Sequence, residues 1–182
     1  ATRLWDRVTE DGRDATVLNV PVTFPASTRI QRMASGFLSP DLESATSDDS
    51  LRETLDGFDY RIDVNAKLGH DDDKTEFIEN ARATLDARYE AFTHYLDQDD
   101  WDLFFGVFMS TDRVNHFLFG DYVNDGAYSE EFLEFYRQLD EYIGEIRDSL
   151  DDDTTLIVAS DHGFTELEWE VNCNEFLADE GW

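Results

Sequence analysis

The order of hydrophobic segments predicts an α/β fold, with a mostly parallel sheet and helices on both of its faces. Three observations carry this. Short apolar runs at residues 15–20, 101–109 and 154–159 have the length of buried strands. Long stretches at 74–96 and 128–150 carry apolar residues at helical spacing. The two kinds alternate along the chain, the pattern of parallel strands linked by helices.

Taken in order, residues 4–8 read as the end of a helix closed by Asp11-Gly12. The β-branched run at 15–20 (Ala-Thr-Val-Leu-Asn-Val) stops at Pro21. Pro21, Pro25, Gly36 and Pro40 break the next stretch into irregular chain. Residues 51–55 suggest a helical turn, and Phe58, Tyr60 and Ile62 alternate with polar residues as a strand would. An acidic loop at 70–74 precedes the first long helix, whose inner stripe is Phe77, Ile78, Ala81, Leu85, Tyr89, Phe92 and Leu96. The strand at 101–109 follows. The second long helix turns Phe132, Phe135, Leu139, Tyr142, Ile143 and Ile146 inward. Asp151, Asp152 and Asp153 make a solvated turn into the run at 154–159 (Thr-Thr-Leu-Ile-Val-Ala), a buried strand, and residues 174–178 begin a last helix. No repeat, low-complexity tract or linker divides the chain, so a single α/β domain over residues 1–182 is expected.

Composition narrows the function. Hydrophobic residues make up 41% and aromatics 14%, too many for a disordered chain. No apolar run has the length to cross a bilayer, and residues 1–10 lack the order of a signal peptide. There are 43 acidic residues against 14 basic ones, a formal charge of −29, and the only lysines are Lys67 and Lys74. Binding to nucleic acid or to an anionic membrane needs the opposite sign. The acid excess is spread along the chain, and its self-repulsion is relieved only where salt screens it, to about 3 Å at 1 M. The expectation is a cytoplasmic protein of a halophilic microbe, whose melting temperature rises from dilute buffer to molar KCl. A flat melting profile would remove that reading. Cys173 is the only cysteine, so no intrachain disulfide and no cysteine zinc motif exist. It is expected to be a small buried side chain.

The chemistry gathers after two strands. Residues 101–109 run straight into Ser110-Thr111-Asp112-Arg113-Val114-Asn115-His116, and residues 154–159 run straight into Ser160-Asp161-His162-Gly163. Both Asp/His pairs therefore follow the carboxyl end of a predicted strand, the edge where open α/β sheets bind ligands. Asp112 and His116, four apart, share one face if a helix begins there. Asp161 and His162 can converge only in a turn, which Gly163 makes room for. Carboxylate oxygen plus imidazole nitrogen suits zinc, manganese or iron better than magnesium or calcium. The competing structural reading makes Asp112 a helix cap and the histidines core residues. His70 and His94 read as surface residues. The Asp121–Gly126 stretch fails as a calcium loop because Val123 and Phe132 stand where oxygen ligands belong.

The order of these motifs resembles the alkaline phosphatase superfamily, and within it the type I phosphodiesterase/nucleotide pyrophosphatase family of microbes, here of halophilic archaeal character. Supporting segments are Leu4-Trp5-Asp6, Asn19-Val20-Pro21-Val22-Thr23-Phe24-Pro25, Ser35-Gly36-Phe37-Leu38-Ser39-Pro40 and Asn174-Glu175-Phe176-Leu177. The similarity is loosest between residues 41 and 100. It implies a partial alkaline-phosphatase-like core and a two-metal hydrolase of phosphodiester or nucleotide pyrophosphate bonds. Asp112 and His116 would match ligands of one divalent ion and Asp161 and His162 ligands of the other, with zinc ahead of manganese. Phosphomonoester or sulfate-ester hydrolysis and phosphoglycerate mutation are alternatives on the same scaffold, and a non-catalytic acidic binding module is the alternative of another class. The family's first-strand aspartate, its Thr or Ser nucleophile and a further histidine ligand find no match here. Thr23, Thr111 and Ser160 do not sit where the nucleophile would. The chain is thus expected to be an internal fragment that binds metal weakly, does not turn over and self-associates through an unpaired sheet edge.

Overall fold

A computed structural model describes residues 2–98, 100–167 and 169–181. Its sheet has three strands, β1 (Ala15–Val20), β2 (Arg32–Ser35) and β3 (Leu103–Gly106), in the order β2-β1-β3. Both pairings are parallel. The predicted class holds, and β1 is central because nearly all its residues are apolar or small and five of the six are buried.

Alternation along the strands sorts side chains onto two faces. Ala15, Val17 and Met33 pack with Ile30 and with Trp5 of α1 (Leu4–Glu10). Leu18 and Ala34 point the other way, onto Leu51 and Leu55 of α3 (Asp49–Gly57) and Ala91, Phe92 and Tyr95 of α4 (Thr75–Leu96). Helices therefore cover both faces. A third core is helix on helix. Phe77, Ala81 and Leu85 of α4 meet Val114 and Leu118 of α5 (Ser110–Val123) and Phe132, Phe135 and Leu139 of α6 (Ser129–Ser149). α6 matches its predicted stripe, whereas α4 matches at Phe77, Ala81, Leu85 and Phe92 and also buries Thr84, Ala87, Arg88, Ala91 and Tyr95 against the sheet side and its neighbours. A short α2 (Leu42–Ala45), a 3-10 turn (Ala66–His70) and α7 (Cys173–Asp179) complete the chain.

Local chemistry sets the helix ends. Gly12, at φ +77°, closes α1 in the left-handed conformation that glycine tolerates. The Asp48 carboxylate accepts the Leu51 N–H at 3.0 Å, and the Asp73 carboxylate accepts the Thr75 N–H at 2.9 Å, at the starts of α3 and α4.

The carboxyl edge is shaped by a bulge. The register of β1 and β2 shifts between Leu18 and Val20, and Asn19 sits at φ +67° with its side chain donating to the Val107 carbonyl at 3.3 Å. Gly36 lies directly against the Asn19 carbonyl, where any β-carbon would collide with main chain.

Five expectations are corrected. Residues 21–40, expected to be irregular, contain β2, which is too short and too uniformly buried to show alternation. Phe58, Tyr60 and Ile62 belong to turns, not to a strand, and Tyr60 is buried beneath Arg88, whose guanidinium lies 5.6 Å from the ring centroid. The strand at 101–109 shrinks to Leu103–Gly106 and is only half-buried. Residues 154–159 are neither a strand nor buried, with Ile157 80% and Val158 67% exposed. Cys173 is exposed, since the short helix that holds it has no buried residue. No helix among the described residues is long and apolar enough to cross a membrane.

Candidate functional site

All three strands run the same way, so their carboxyl ends share one edge. At that edge α5 begins four residues after β3. Its first turns hold Asp112 and His116 on one face, as the four-residue spacing predicts. The Asp112 Oδ1 and His116 Nε2 atoms are 3.5 Å apart. Two donors about 2.0–2.1 Å from one tetrahedral ion would stand roughly 3.4 Å apart, so the pair fits one cation. Asp112 is not the cap of α5: no side chain caps this helix, and Asp112 lies inside it.

The second pair is set in a turn. Asp161 Oδ1 and His162 Nε2 are 3.9 Å apart, and both side chains face solvent. The His162 Nδ1 lies 2.8 Å from the Gly163 carbonyl. A carbonyl only accepts, so Nδ1 carries the hydrogen and Nε2 keeps a lone pair for a metal. That bond also holds the His162 pKa above its ordinary value, aided by the Asp161 carboxylate, opposed by slight desolvation, and aided more weakly by Asp112.

An aromatic contact ties the turns together. The Phe164 ring meets the His116 ring edge-on at 5.1 Å and the Phe119 ring at 5.3 Å. Two residues on, Glu166 accepts from the Asn124 side chain at 2.9 Å. The loop carrying Asp161 and His162 therefore lies along α5, on the side that presents His116. Among the described residues, no group of three or more His, Cys, Asp or Glu side chains converges on one point. The four candidates stand as two separate pairs. His70 and His94 are surface residues, the first edge-on to Phe117 at 5.1 Å, the second 2.9 Å from the Gln98 side chain.

Two features escaped the sequence reading. Arg113 forms a half-buried ion pair with Asp63, Nη2 to Oδ2 at 2.5 Å, with Nε bonded to the same carboxylate at 3.0 Å. This bonding keeps the guanidinium pKa above its ordinary value, against the desolvation that lowers it. Asp63 lies fifty positions away, and no local pattern announces it. Arg113 also stacks on Phe37, 4.6 Å from the ring centroid. Beside this pair a cleft of about 430 Å³ is lined by Phe37, Leu38, Ser39, Pro40, Leu42, Tyr60, Ile62 and Asp63.

The candidate hydroxyls are occupied. Thr23 donates to the Val20 carbonyl at 2.7 Å, Thr111 to the Phe108 carbonyl at 3.0 Å and Ser160 to the His162 carbonyl at 2.5 Å. None is paired with a base that would activate it.

No curated protein and no solved structure matches the chain. A family model does, over residues 1–182, and it shows that the chain belongs to the type I phosphodiesterase / nucleotide pyrophosphatase family.

Proposed function

We propose that the chain carries half of a two-metal site for hydrolysing phosphodiester or nucleotide pyrophosphate bonds. The 3.5 Å spacing of the Asp112 and His116 donors is the observation that carries this reading. Asp112 and His116 would hold one divalent ion, and Asp161 and His162 the other, with zinc the best match to the donor set and manganese next. When bound, two such ions supply Lewis-acid stabilisation of the attacking and leaving oxygens of an in-line displacement. They would also reverse the local sign of a strongly acidic surface, which otherwise repels a phosphate ester.

The chain's own residues position. The Arg113–Asp63 pair pins the first turns of α5 to the loop at Asp63, and the Phe164 contact holds the second turn against α5. The cleft beside Phe37, of mixed polar and apolar lining, offers room for an organic group on the ester. Thr23, Thr111 and Ser160 donate to main-chain carbonyls and have no base beside them, so none is assigned as the nucleophile.

Calorimetric titration with zinc and manganese tests the site. Replacing even an outer partner of a ligand costs 10–100-fold in affinity, so Asp112→Ala and His162→Ala should each weaken one site by at least about 100-fold. The other site should persist in each variant. A non-catalytic acidic module is the competing reading, favoured by the lack of a three-donor group among the described residues. It requires equal binding by wild type and both variants. The substrate class is decided by rates on bis-p-nitrophenyl phosphate, p-nitrophenyl phosphate and p-nitrophenyl sulfate, measured on the protein of the natural reading frame. The diester should be fastest.

A further inference from the structure

Residues 61–65 form neither helix nor strand, yet they are strapped to α4. The Arg88 Nη2 donates to the Arg61 carbonyl at 2.7 Å and to the Ile62 carbonyl at 3.0 Å. Arg88 is fully buried, and its Nε and Nη1 have no hydrogen-bond partner among the described residues. A buried cation with donors left over is costly, and what this one holds in place is main chain. At the other end the Asn65 N–H donates to the Asn80 side-chain carbonyl at 2.8 Å. Between the two anchors Val64 sinks into the core shared by α4, α5 and α6.

The strap aims one charge at α5. The Asp63 carboxylate accepts the Val64 N–H at 2.9 Å, which fixes its direction. It then takes three bonds from Arg113: Nε to Oδ1 at 3.2 Å, Nε to Oδ2 at 3.0 Å and Nη2 to Oδ2 at 2.5 Å.

A second carboxylate competes for the same guanidinium. The Arg113 Nη1 stands 4.0 Å from Oδ2 of Asp112, the residue before it. A guanidinium bonded to a carboxylate closes to about 2.7–2.9 Å, so Asp112 has no direct bond from Arg113. Had it one, the guanidinium would occupy lone pairs that a metal ion needs. Phe37 lies against the guanidinium, 4.6 Å from the ring centroid, but carries no net charge to decide between the two carboxylates.

We propose that Asp63 is a positioning residue for the candidate metal site: it draws Arg113 away from Asp112 and leaves the Asp112 carboxylate open to a divalent cation. This rests on the reading of Asp112 as a metal ligand. The competition of Asp63 and Asp112 for Arg113 does not, and is tested without metal as well as with it.

Asp63→Asn is isosteric and still accepts from the Val64 N–H, so it removes the charge and leaves the strap. In calorimetric titration of residues 1–182, zinc affinity at the Asp112/His116 pair should fall at least about tenfold in this variant, the low end for loss of an outer partner, with the Asp161/His162 pair unchanged. Adding Arg113→Met should recover at least about half of that loss on a logarithmic scale, because the released cation is then absent. A merely structural Asp63 predicts no recovery. Wild-type affinity in Asp63→Asn, or a double variant no better than the single one, overturns the proposal. A crystal structure of Asp63→Asn grown without metal reads the same competition directly. The Arg113 guanidinium should close to about 2.9 Å from the Asp112 carboxylate. If it keeps its wild-type distance, Phe37 alone holds it and the proposal falls, whatever the metal does. Zinc absent from Asp112 in the wild type, with that closure observed, sinks the metal reading and leaves the hold of Asp63 on Arg113 standing.

Discussion

Arg113→Ala is expected to lower the unfolding free energy by about 3 kcal/mol, the lower end of what breaking a buried ion pair costs. The Arg113 and Asp63 side chains are 15% and 19% exposed, so water reaches them only in part. Removing the guanidinium leaves the Asp63 carboxylate half-buried, with its three hydrogen bonds from Arg113 gone. It also removes the cation stacked on Phe37. Urea denaturation measures the loss. Restoring neutrality with Arg113→Met and Asp63→Asn together should recover more than half of it, because the penalty lies mainly in the orphaned charge. A single variant as stable as wild type would show that the pair is solvated and does not anchor α5. The same variant should weaken metal binding at Asp112 more than at His162, since it frees the first turn of the helix that carries Asp112.

Phe77→Ala should destabilise the chain further, by about 3–5 kcal/mol. Phe77 is fully buried where α4, α5 and α6 meet, with its ring 5.0 Å from that of Phe117. The Phe117 ring is itself packed against Gly69, where any β-carbon would collide with it, so it is held in place from that side. The cavity left by the ring therefore persists, and its lining loses dispersion contacts outright. For a chain of this size each kcal/mol shifts the melting temperature by about 2–4 °C, so a fall of roughly 10 °C is expected. Calorimetry or a thermal scan monitored by circular dichroism reads it directly. A shift below about 3 °C would mean that the three helices repack around the gap, and that this core does not fix the position of α5.

The two long helices and the buried central strand were legible because each is a local property. Phe77, Ala81 and Leu85 fall on one face whatever surrounds them, as do Phe132, Phe135 and Leu139. Asp112 and His116 were legible for the same reason: a strand that stops and a helix that starts put residues four apart on one face. β2 was missed because a four-residue strand with three consecutive buried residues carries no period. The strand expected at Phe58–Ile62 failed because alternation is also what a turn yields when it buries one ring, Tyr60, and exposes its neighbours.

Spacing and patterning within a few turns of chain were thus enough to specify the class of fold, much of the stripes that form the helical core, and the shared face of Asp112 and His116. Long-range neighbours settled the remainder. Asp63 became the partner of Arg113, and Phe164 came to rest on His116, because sheet and helix packing brought distant residues within contact. The apolar run after Asp153 has the composition of a strand, but a strand exists only when an edge accepts it. A strand's hydrogen-bond partners are main-chain groups on another strand, which local composition does not specify.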